Sequence, residues 1–226
     1  MKGIGGKYMA LSLNEKTYLK LKNEIMKFKL VPGDVVSAQK LSERYDVSRT
    51  PAREAIVRLE TEGLLKIVPQ SGTYVAKINW ERAGQEWFVR MTLELGMAEE
   101  FIANCTDDII KKMRDNLDKL EHFTPGVEDT ARIDIDNEFH NIIYDCSGQS
   151  LAKDIINTQI THYNRIRCLI ELNEKVRSKT VLEHRALIEA AEKKNTKEFK
   201  SLLKKHIRRI IQEQEKLKEM FPEYIE

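Results

Sequence analysis

Four side chains in the carboxyl-terminal part of the sequence could together bind a divalent metal ion. Asp136 and His140 are four residues apart, so both project from one face if the segment is helical. His184 and His206 each share a helical face with aliphatic residues, which directs their rings toward a core. An unpaired buried imidazole is costly, whereas imidazole and carboxylate are good ligands for Zn, Ni, Co, Mn or Fe. Hydrogen-bonded core histidines are the alternative interpretation, and the spacing alone leaves both open.

A second group of residues could contact nucleic acid. Arg49, Thr50 and Arg53 lie at the start of a segment with an apolar stripe at helical spacing, formed by Ala52, Ala55, Ile56 and Leu59. A helix that buries this stripe presents the two arginines to one side of it. This arrangement is typical of helices that enter the major groove of DNA. The alternative is a helix-turn-helix without a nucleic-acid partner, whose arginines form a solvated face.

The surrounding residues predict a helix-turn-helix with a wing. Residues 41–45 form a first helix, which the turn Asp46-Val47-Ser48 follows. Ser48 or Thr50 can cap the second helix, and Pro51 is tolerated there because it falls in the first turn.

The wing is predicted from two short apolar runs. Gly63 ends the second helix, and residues 64–68 and 73–76 form two strands. The sequence Pro69-Gln70-Ser71-Gly72 between them is typical of a turn. A wing beside the arginine-bearing helix favours DNA binding over the alternative.

From residue 79 onward the sequence predicts helices joined by short connections. The chain is therefore expected to be mainly α, with an N-terminal winged helix-turn-helix (α/β) over residues 10–78 and an all-α antiparallel six-helix bundle over residues 79–226. The six helices cover residues 80–105, 106–122, 129–146, 151–173, 179–194 and 196–218, with Pro125-Gly126 and Ser147-Gly148 in two of the connections.

Charge and composition agree with this division. Residues 1–78 carry 14 basic and 8 acidic side chains, which gives +6, and the remaining 24 basic and 28 acidic side chains give −4. No apolar run approaches the length of a membrane span and no signal-peptide pattern appears, so a cytoplasmic protein without a membrane partner is expected. The three cysteines, Cys105, Cys146 and Cys168, are widely spaced and are expected to be reduced thiols.

The segment SRTPAREAIVRLETEGLL resembles the signature of the GntR family of bacterial transcription regulators. The resemblance implies that Ser48, Arg49, Thr50 and Arg53 belong to the DNA-binding surface and that Gly72 lies at the tip of the wing, in the minor groove. The sequence departs from the family at two positions. Asp46 replaces a frequent glycine, which aspartate can imitate by adopting the left-handed conformation. Gln39 replaces a DNA-contacting arginine.

Three further segments, DNEFHNIIYDCSGQ, EHRALIEAAEKKN and KKHIRRI, resemble the metal-dependent FCD ligand-binding domain of the FadR subfamily of GntR regulators. The resemblance implies that Asp136, His140, His184 and His206 are the metal ligands. It extends from about residue 17 to residue 218. Six helices rather than seven also resemble the metal-binding branch of this subfamily.

Together these sites predict a transcription regulator, expected to be a repressor and not an enzyme, which binds a two-fold symmetric DNA operator as a homodimer. A small carboxylate effector would bind at the metal, because four protein ligands leave positions open on an octahedral ion. Arg90, Arg165 and Arg167 are the candidates for holding this anion. Surface salt bridges are the alternative role for the arginines.

Three other functions remain open at this point. The metal could itself be the signal, or it could be purely structural. The bundle could also be a metalloenzyme attached to DNA, which is the least favoured because no obvious general acid or nucleophile accompanies the four ligands.

Overall fold

The computed structural model describes residues 11–123, 131–171 and 174–226. Residue 10, the predicted connection at Pro125-Gly126, the predicted helix start at Asp129 and the predicted helix end at Asn173 lie outside these ranges. Contacts divide the chain into two compact units, Met1–Lys77 and Ile78–Glu226.

The first unit contains three helices and a small antiparallel sheet. Its elements are α1 (Leu13–Met26), β1 (Val35–Val36), α2 (Ala38–Tyr45), α3 (Arg49–Thr61), β2 (Leu65–Val68) and β3 (Gly72–Val75). The strands are ordered β1-β3-β2, with Val35 opposite Tyr74 and Leu65 opposite Val75. The winged helix-turn-helix is confirmed, and β1 is an additional strand that the sequence analysis did not predict.

The turn between α2 and α3 forms as expected, but the predicted cap does not. Asp46 adopts the left-handed conformation with φ 53°, as expected for an aspartate at this position of the turn. Ser48 occupies the N-cap position of α3, yet its side chain accepts no N–H there. Pro51 is the third residue of α3, where a missing N–H costs no intrahelical hydrogen bond.

The second unit is helical. Its elements are α4 (Trp80–Asn104), α5 (Asp107–Glu121), α6 (Ala131–Ser147), α7 (Ser150–Gln159), α8 (His162–Glu171), α9 (Glu174–Glu192), α10 (Thr196–Gln212) and α11 (Gln214–Met220). The mainly α class is confirmed. The count of six helices is wrong, because within the described ranges two of the predicted helices are each divided in two.

The division between α7 and α8 has a tertiary cause. Ile160 is extended at the end of α7, and α8 begins two residues later. The buried carboxylate of Glu86, on α4, accepts the backbone N–H of Tyr163 at 2.9 Å and the hydroxyl of Thr161 at 3.4 Å. Glu86 therefore satisfies donors at the new helix start, which local periodicity could not reveal.

The chain end returns to the beginning of the helical unit. Ile225 forms a parallel bridge with Ile78, whose N–H donates to the carbonyl of Tyr224 at 2.8 Å. Among the described helices, none has the length and apolar composition that crossing a membrane requires.

Candidate metal centre and nucleic-acid interface

The four predicted metal ligands converge inside the helical unit. Asp136 and His140 project from α6, His184 from α9 and His206 from α10. All four are buried, and one potential ligand atom of each lies within 4.8 Å of those of the other three. The carboxylate and three imidazoles therefore have the spacing of a single coordination site.

The ring of His184 carries the strongest sign that the cluster suits a metal ion. Its ring stacks on Phe139, with centroids 3.8 Å apart and planes 9° apart. Its Nε2 lies 3.3 Å from Oδ1 of Asp136, but among the described residues neither ring nitrogen has a partner in hydrogen-bonding geometry. A fully buried imidazole with both nitrogens unsatisfied is costly unless one of them coordinates an ion. The donor set therefore fits a divalent metal.

His140 and His206 face each other across the cluster. Their Nε2 atoms are 3.2 Å apart. The Nδ1 of His140 lies 2.8 Å from Oε2 of Glu94, and the Nδ1 of His206 lies 2.8 Å from Oε2 of Glu183.

The electrostatics favour neutral imidazoles and an ionised Asp136. Burial lowers the pKa of His140, His184 and His206, which outweighs the nearby carboxylates. Burial alone would raise the pKa of Asp136, but Arg167 and the histidines outweigh it and hold that pKa well below its usual value. These are the protonation states that metal coordination requires.

Each of three carboxylates around the site pairs with an arginine. Glu94 accepts from Arg90, Asp136 from Arg167, and Glu183 from Arg209. The three acids and three guanidinium groups cancel, so the protein groups at the site carry no net charge.

The three predicted effector-binding arginines are all buried, but they lie in different surroundings. Arg90 pairs with Glu94, and among the described residues its Nη1 has no hydrogen-bond partner. Arg167 donates to Asp136 and, at 2.9 Å, to Asn164. Arg165 is also fully buried, which lowers its pKa to about 10, while Cys168 and Glu86 oppose this shift. The structure thus brings Arg90 and Arg167, but not Arg165, into contact with the acids of the cluster.

Two acids at the cluster, Glu94 and Glu183, were not predicted from the sequence. A signal for Glu94 was present, because Glu86, Arg90 and Glu94 repeat every four residues on a helical face that also carries Ala83, Met97, Ala98 and Phe101, all of them buried. Alternating buried charges on one helical face indicate partners on other helices. Glu183 immediately precedes His184 and has no comparable sequence signal.

The predicted DNA-contacting residues lie together at the surface of the first unit. Ser48, Arg49, Thr50 and Arg53 are exposed at the start of α3, whereas the stripe formed by Ala52, Ala55, Ile56 and Leu59 is buried. Gly72 is exposed in the wing with φ 137°, which favours glycine. The hydroxyls of Ser71 and Tyr74 bond at 2.8 Å beside it. This arrangement presents one helix end and one wing turn to solvent.

Two family models match the chain. Residues 13–75 match the gntR family of bacterial regulatory proteins. Residues 87–209 match the FCD domain.

The similar curated proteins are transcription regulators. The repressor RspR of Escherichia coli is 24% identical over 88% of this chain and 87% of its own length. YdhC of Bacillus subtilis, described as an uncharacterized HTH-type regulator, is 29% identical over 84% of each chain.

Two solved structures share the fold. Escherichia coli McbR/YncC covers 94% of this chain and all of its own with a TM-score of 0.74 and 20% identity. A GntR regulator from Rhodococcus covers 90% of this chain and 97% of its own, with a TM-score of 0.72 and 17% identity.

Proposed function

Since the chain belongs to the GntR family of bacterial regulatory proteins and carries an FCD domain, we propose that it represses transcription under the control of a small carboxylate bound at a divalent metal. Residues 10–78 bind the operator, and residues 79–226 bind metal and effector and form the dimer. A regulator of this kind works in the cytoplasm, where the bacterial chromosome lies. Its similarity to RspR, which is named a repressor, supports repression rather than activation.

The observation that carries the proposal is the buried cluster of Asp136, His140, His184 and His206. These residues would hold the ion, and the ion would supply open coordination positions for a carboxylate oxygen. Zn, Ni, Mn, Co and Fe are all compatible with this donor set. The unsatisfied nitrogens of His184 support coordination over a purely structural role for the histidines.

Charge balance supports an anionic effector. The carboxylates of Glu94, Asp136 and Glu183 are already neutralised by arginines, so a divalent ion leaves two uncompensated positive charges in the core. Uncompensated buried charge is strongly unfavourable. A carboxylate at the metal offsets it, and a second carboxylate on the same molecule completes the balance.

Arg90 is the best supported of the three effector-binding candidates. Its guanidinium is buried, and its Nη1 has no partner among the described residues, so it can donate to an incoming carboxylate. Arg167 contributes by holding Asp136. Arg165 stays a prediction, because its charged neighbour Glu86 is not part of the cluster.

We propose that α4 supplies the dimer surface. Phe88 and Val89 are 59% and 40% exposed on this helix, next to half-buried Trp87 and Met91. Gly96, farther along α4, is also exposed, and a Cβ there would meet nothing within 4 Å. The same α4 surface from a second copy can cover this apolar group in a two-fold dimer, and such a dimer carries two α3 helices for the two half-sites of an operator.

The effector changes operator binding only if it binds one arrangement of the dimer more tightly than the other. The test loads metal-free protein with Zn, Ni or Mn and then adds mono-, di- and tricarboxylates. A dicarboxylate or tricarboxylate should raise the melting temperature of the metal-loaded protein but not that of the metal-free protein. It should also weaken operator binding by the metal-loaded protein. Metal that changes operator affinity without any carboxylate would instead make the protein a metal sensor. Failure to take up any divalent metal would overturn the proposal.

A matched pair of variants locates the effector. Arg90→Gln should weaken the carboxylate response while metal still binds. Arg114→Gln removes an exposed arginine that pairs with Glu192, and it should leave the response intact. Equal responses from both variants would remove Arg90 from the site.

A further inference from the structure

We propose that Glu94 and Glu183 fix the tautomers of His140 and His206, so that both rings present an unprotonated Nε2 to the site before an ion arrives. The assignment of these atoms as metal ligands rests on the proposed function. The tautomers themselves do not, because they are a property of the metal-free protein.

Glu94 can act toward His140 only as an acceptor. It is fully buried, and its Oε1 accepts from the hydroxyl of Tyr144 at 2.6 Å and from Nε of Arg90. Its Oε2 lies 2.8 Å from Nδ1 of His140. A carboxylate held by two such donors accepts a third hydrogen bond, so the proton of the neutral imidazole belongs on Nδ1.

Glu183 occupies the equivalent position on the other side of the cluster. Its Oε2 lies 2.8 Å from Nδ1 of His206, and Nε of Arg209 donates to both of its oxygens at 3.1 Å. The proton of a neutral His206 therefore also belongs on Nδ1. Two acids from different helices, α4 and α9, impose the same tautomer on rings from α6 and α10.

The consequence is a pair of lone pairs that face each other. The two Nε2 atoms are 3.2 Å apart in nearly parallel rings, whose planes differ by 24°. With neither nitrogen protonated, no hydrogen bond joins them and their partial charges repel. Two nitrogens at about 2.0–2.1 Å from one ion, with angles between octahedral and tetrahedral values, lie about 2.8–3.4 Å apart. The observed separation falls in that interval, so the protein arranges both ligand atoms for a shared ion.

His184 differs from the other two rings. Stacking on Phe139 orients it, and among the described residues its Nδ1 has no hydrogen-bond partner. Neither Glu94 nor Glu183 sets its tautomer, and the carboxylate oxygen near its Nε2 is Oδ1 of Asp136 at 3.3 Å, so His184 serves as an internal reference for the Glu183→Ala variant.

The first experiment measures the tautomers directly. Metal-free protein with 15N-labelled histidine is studied by two-bond 1H–15N correlation at about pH 8, above the ordinary histidine pKa. In the wild type, His140 and His206 should show a protonated Nδ1 and an unprotonated Nε2. In Glu183→Ala, His206 should gain the Nε2-protonated form while His140 stays unchanged. Glu121→Ala, which removes the acid that pairs with Arg185, should change neither ring.

Two results would overturn the tautomer proposal. One is a wild-type spectrum with a proton on Nε2 of either ring, which decides the matter even if a variant fails to fold. The other is an unchanged His206 tautomer in folded Glu183→Ala.

The second experiment separates this proposal from the proposed function. Competition with a chelator should show that Glu183→Ala binds Zn about 10–100-fold more weakly at unchanged stoichiometry, whereas Glu121→Ala matches the wild type. Expected tautomers in a protein that takes up no metal would preserve the tautomer proposal and refute the metal function. Tight metal binding by a protein with Nε2-protonated rings would refute the tautomer proposal and preserve the metal function.

Discussion

The backbone N–H of Asn79 donates to Nδ1 of His162 at 3.1 Å, which ties the start of the helical unit to the start of α8. A protonated imidazole carries hydrogen on both nitrogens and cannot accept this bond. Burial and, after it, the charges of Arg165 and Arg82 together lower the pKa of His162 to about 4. The folded protein holds this histidine neutral.

His162 should make the helical unit sensitive to acid. Its pKa is lower in the folded protein than the ordinary value of 6.5, so the unfolded chain binds the proton first. The contribution of His162 to the free energy of unfolding is fully present above pH 6.5 and is lost as the pH falls toward 4. The loss amounts to about 3 kcal/mol, since a tenfold difference in proton affinity is worth about 1.4 kcal/mol.

His162→Asn removes the titrating ring and keeps an oxygen that can accept from Asn79. Urea unfolding of the metal-free protein across this pH range should show a shallower decline in stability for the variant. His122→Asn replaces an exposed histidine at the end of α5 and serves as the control. If stability declined equally steeply with falling pH in the wild type and in His162→Asn, the lowered pKa of His162 would be contradicted.

His184→Phe should separate metal binding from folding. The ring nitrogens of His184 have no hydrogen-bond partner among the described residues, so an apolar ring that also stacks on Phe139 should leave the metal-free protein at least as stable. The same variant should lose the metal-dependent rise in melting temperature. Elemental analysis and thermal melts with and without Zn measure the two effects, with His122→Phe as control. A variant that still holds stoichiometric metal would remove His184 from the ligand set.

Arg49→Ala and Arg53→Ala should each weaken specific operator binding. Loss of an arginine–guanine pair costs on the order of 1–3 kcal/mol, and loss of a phosphate contact reduces the salt slope by about one. Arg58→Ala is the matched control, because Arg58 lies near the other end of α3 and pairs with Glu15 at 2.8 Å. Fluorescence anisotropy at several salt concentrations distinguishes the two kinds of contact. Wild-type affinity in either variant would show that its arginine does not reach DNA.

Phe88→Asp should dissociate the dimer. A two-fold interface contains the substituted position twice, and each lost phenylalanine removes about 1.5–3 kcal/mol of apolar burial. The dimer dissociation constant should therefore rise by about 100-fold or more, as sedimentation at micromolar concentration would show. Leu182→Asp is the control, because Leu182 is 61% exposed on α9. A variant that remains dimeric would exclude this surface of α4.

Local sequence was sufficient wherever a residue's role depends on its own helix. The spacing of Ala52, Ala55, Ile56 and Leu59 predicted which face of α3 is buried, and the left-handed Asp46 was predicted from residue type. The four-residue spacing of Asp136 and His140 placed them on one face of α6. Helical periodicity also marked His184 and His206 as inward-facing candidates. Assigning them to one site with Asp136 and His140 needed the resemblance to a known domain, because nothing in helical periodicity brings three helices together.

Long-range pairing was not predictable in this way. Arg167 was predicted as an effector-binding residue, and its pairing with Asp136, 31 residues away in sequence, was not predicted. One continuous helix was expected over residues 151–173, but the carboxylate of Glu86 stabilises a new helix start after Ile160. Each outcome depends on which buried carboxylate pairs with which donor, because a buried charge without a partner costs much free energy.

The sequence by itself determined the winged helix, the mainly helical second unit and the four residues that could bind a metal, because residue type and helical periodicity act over a few neighbouring positions. Only the tertiary structure decided that each acid at the cluster is matched by one arginine. It also decided that Glu94 contacts Nδ1 of His140 and that Glu183 contacts Nδ1 of His206. These pairings join residues from different helices, and their energies depend on distances of a few ångströms that packing sets.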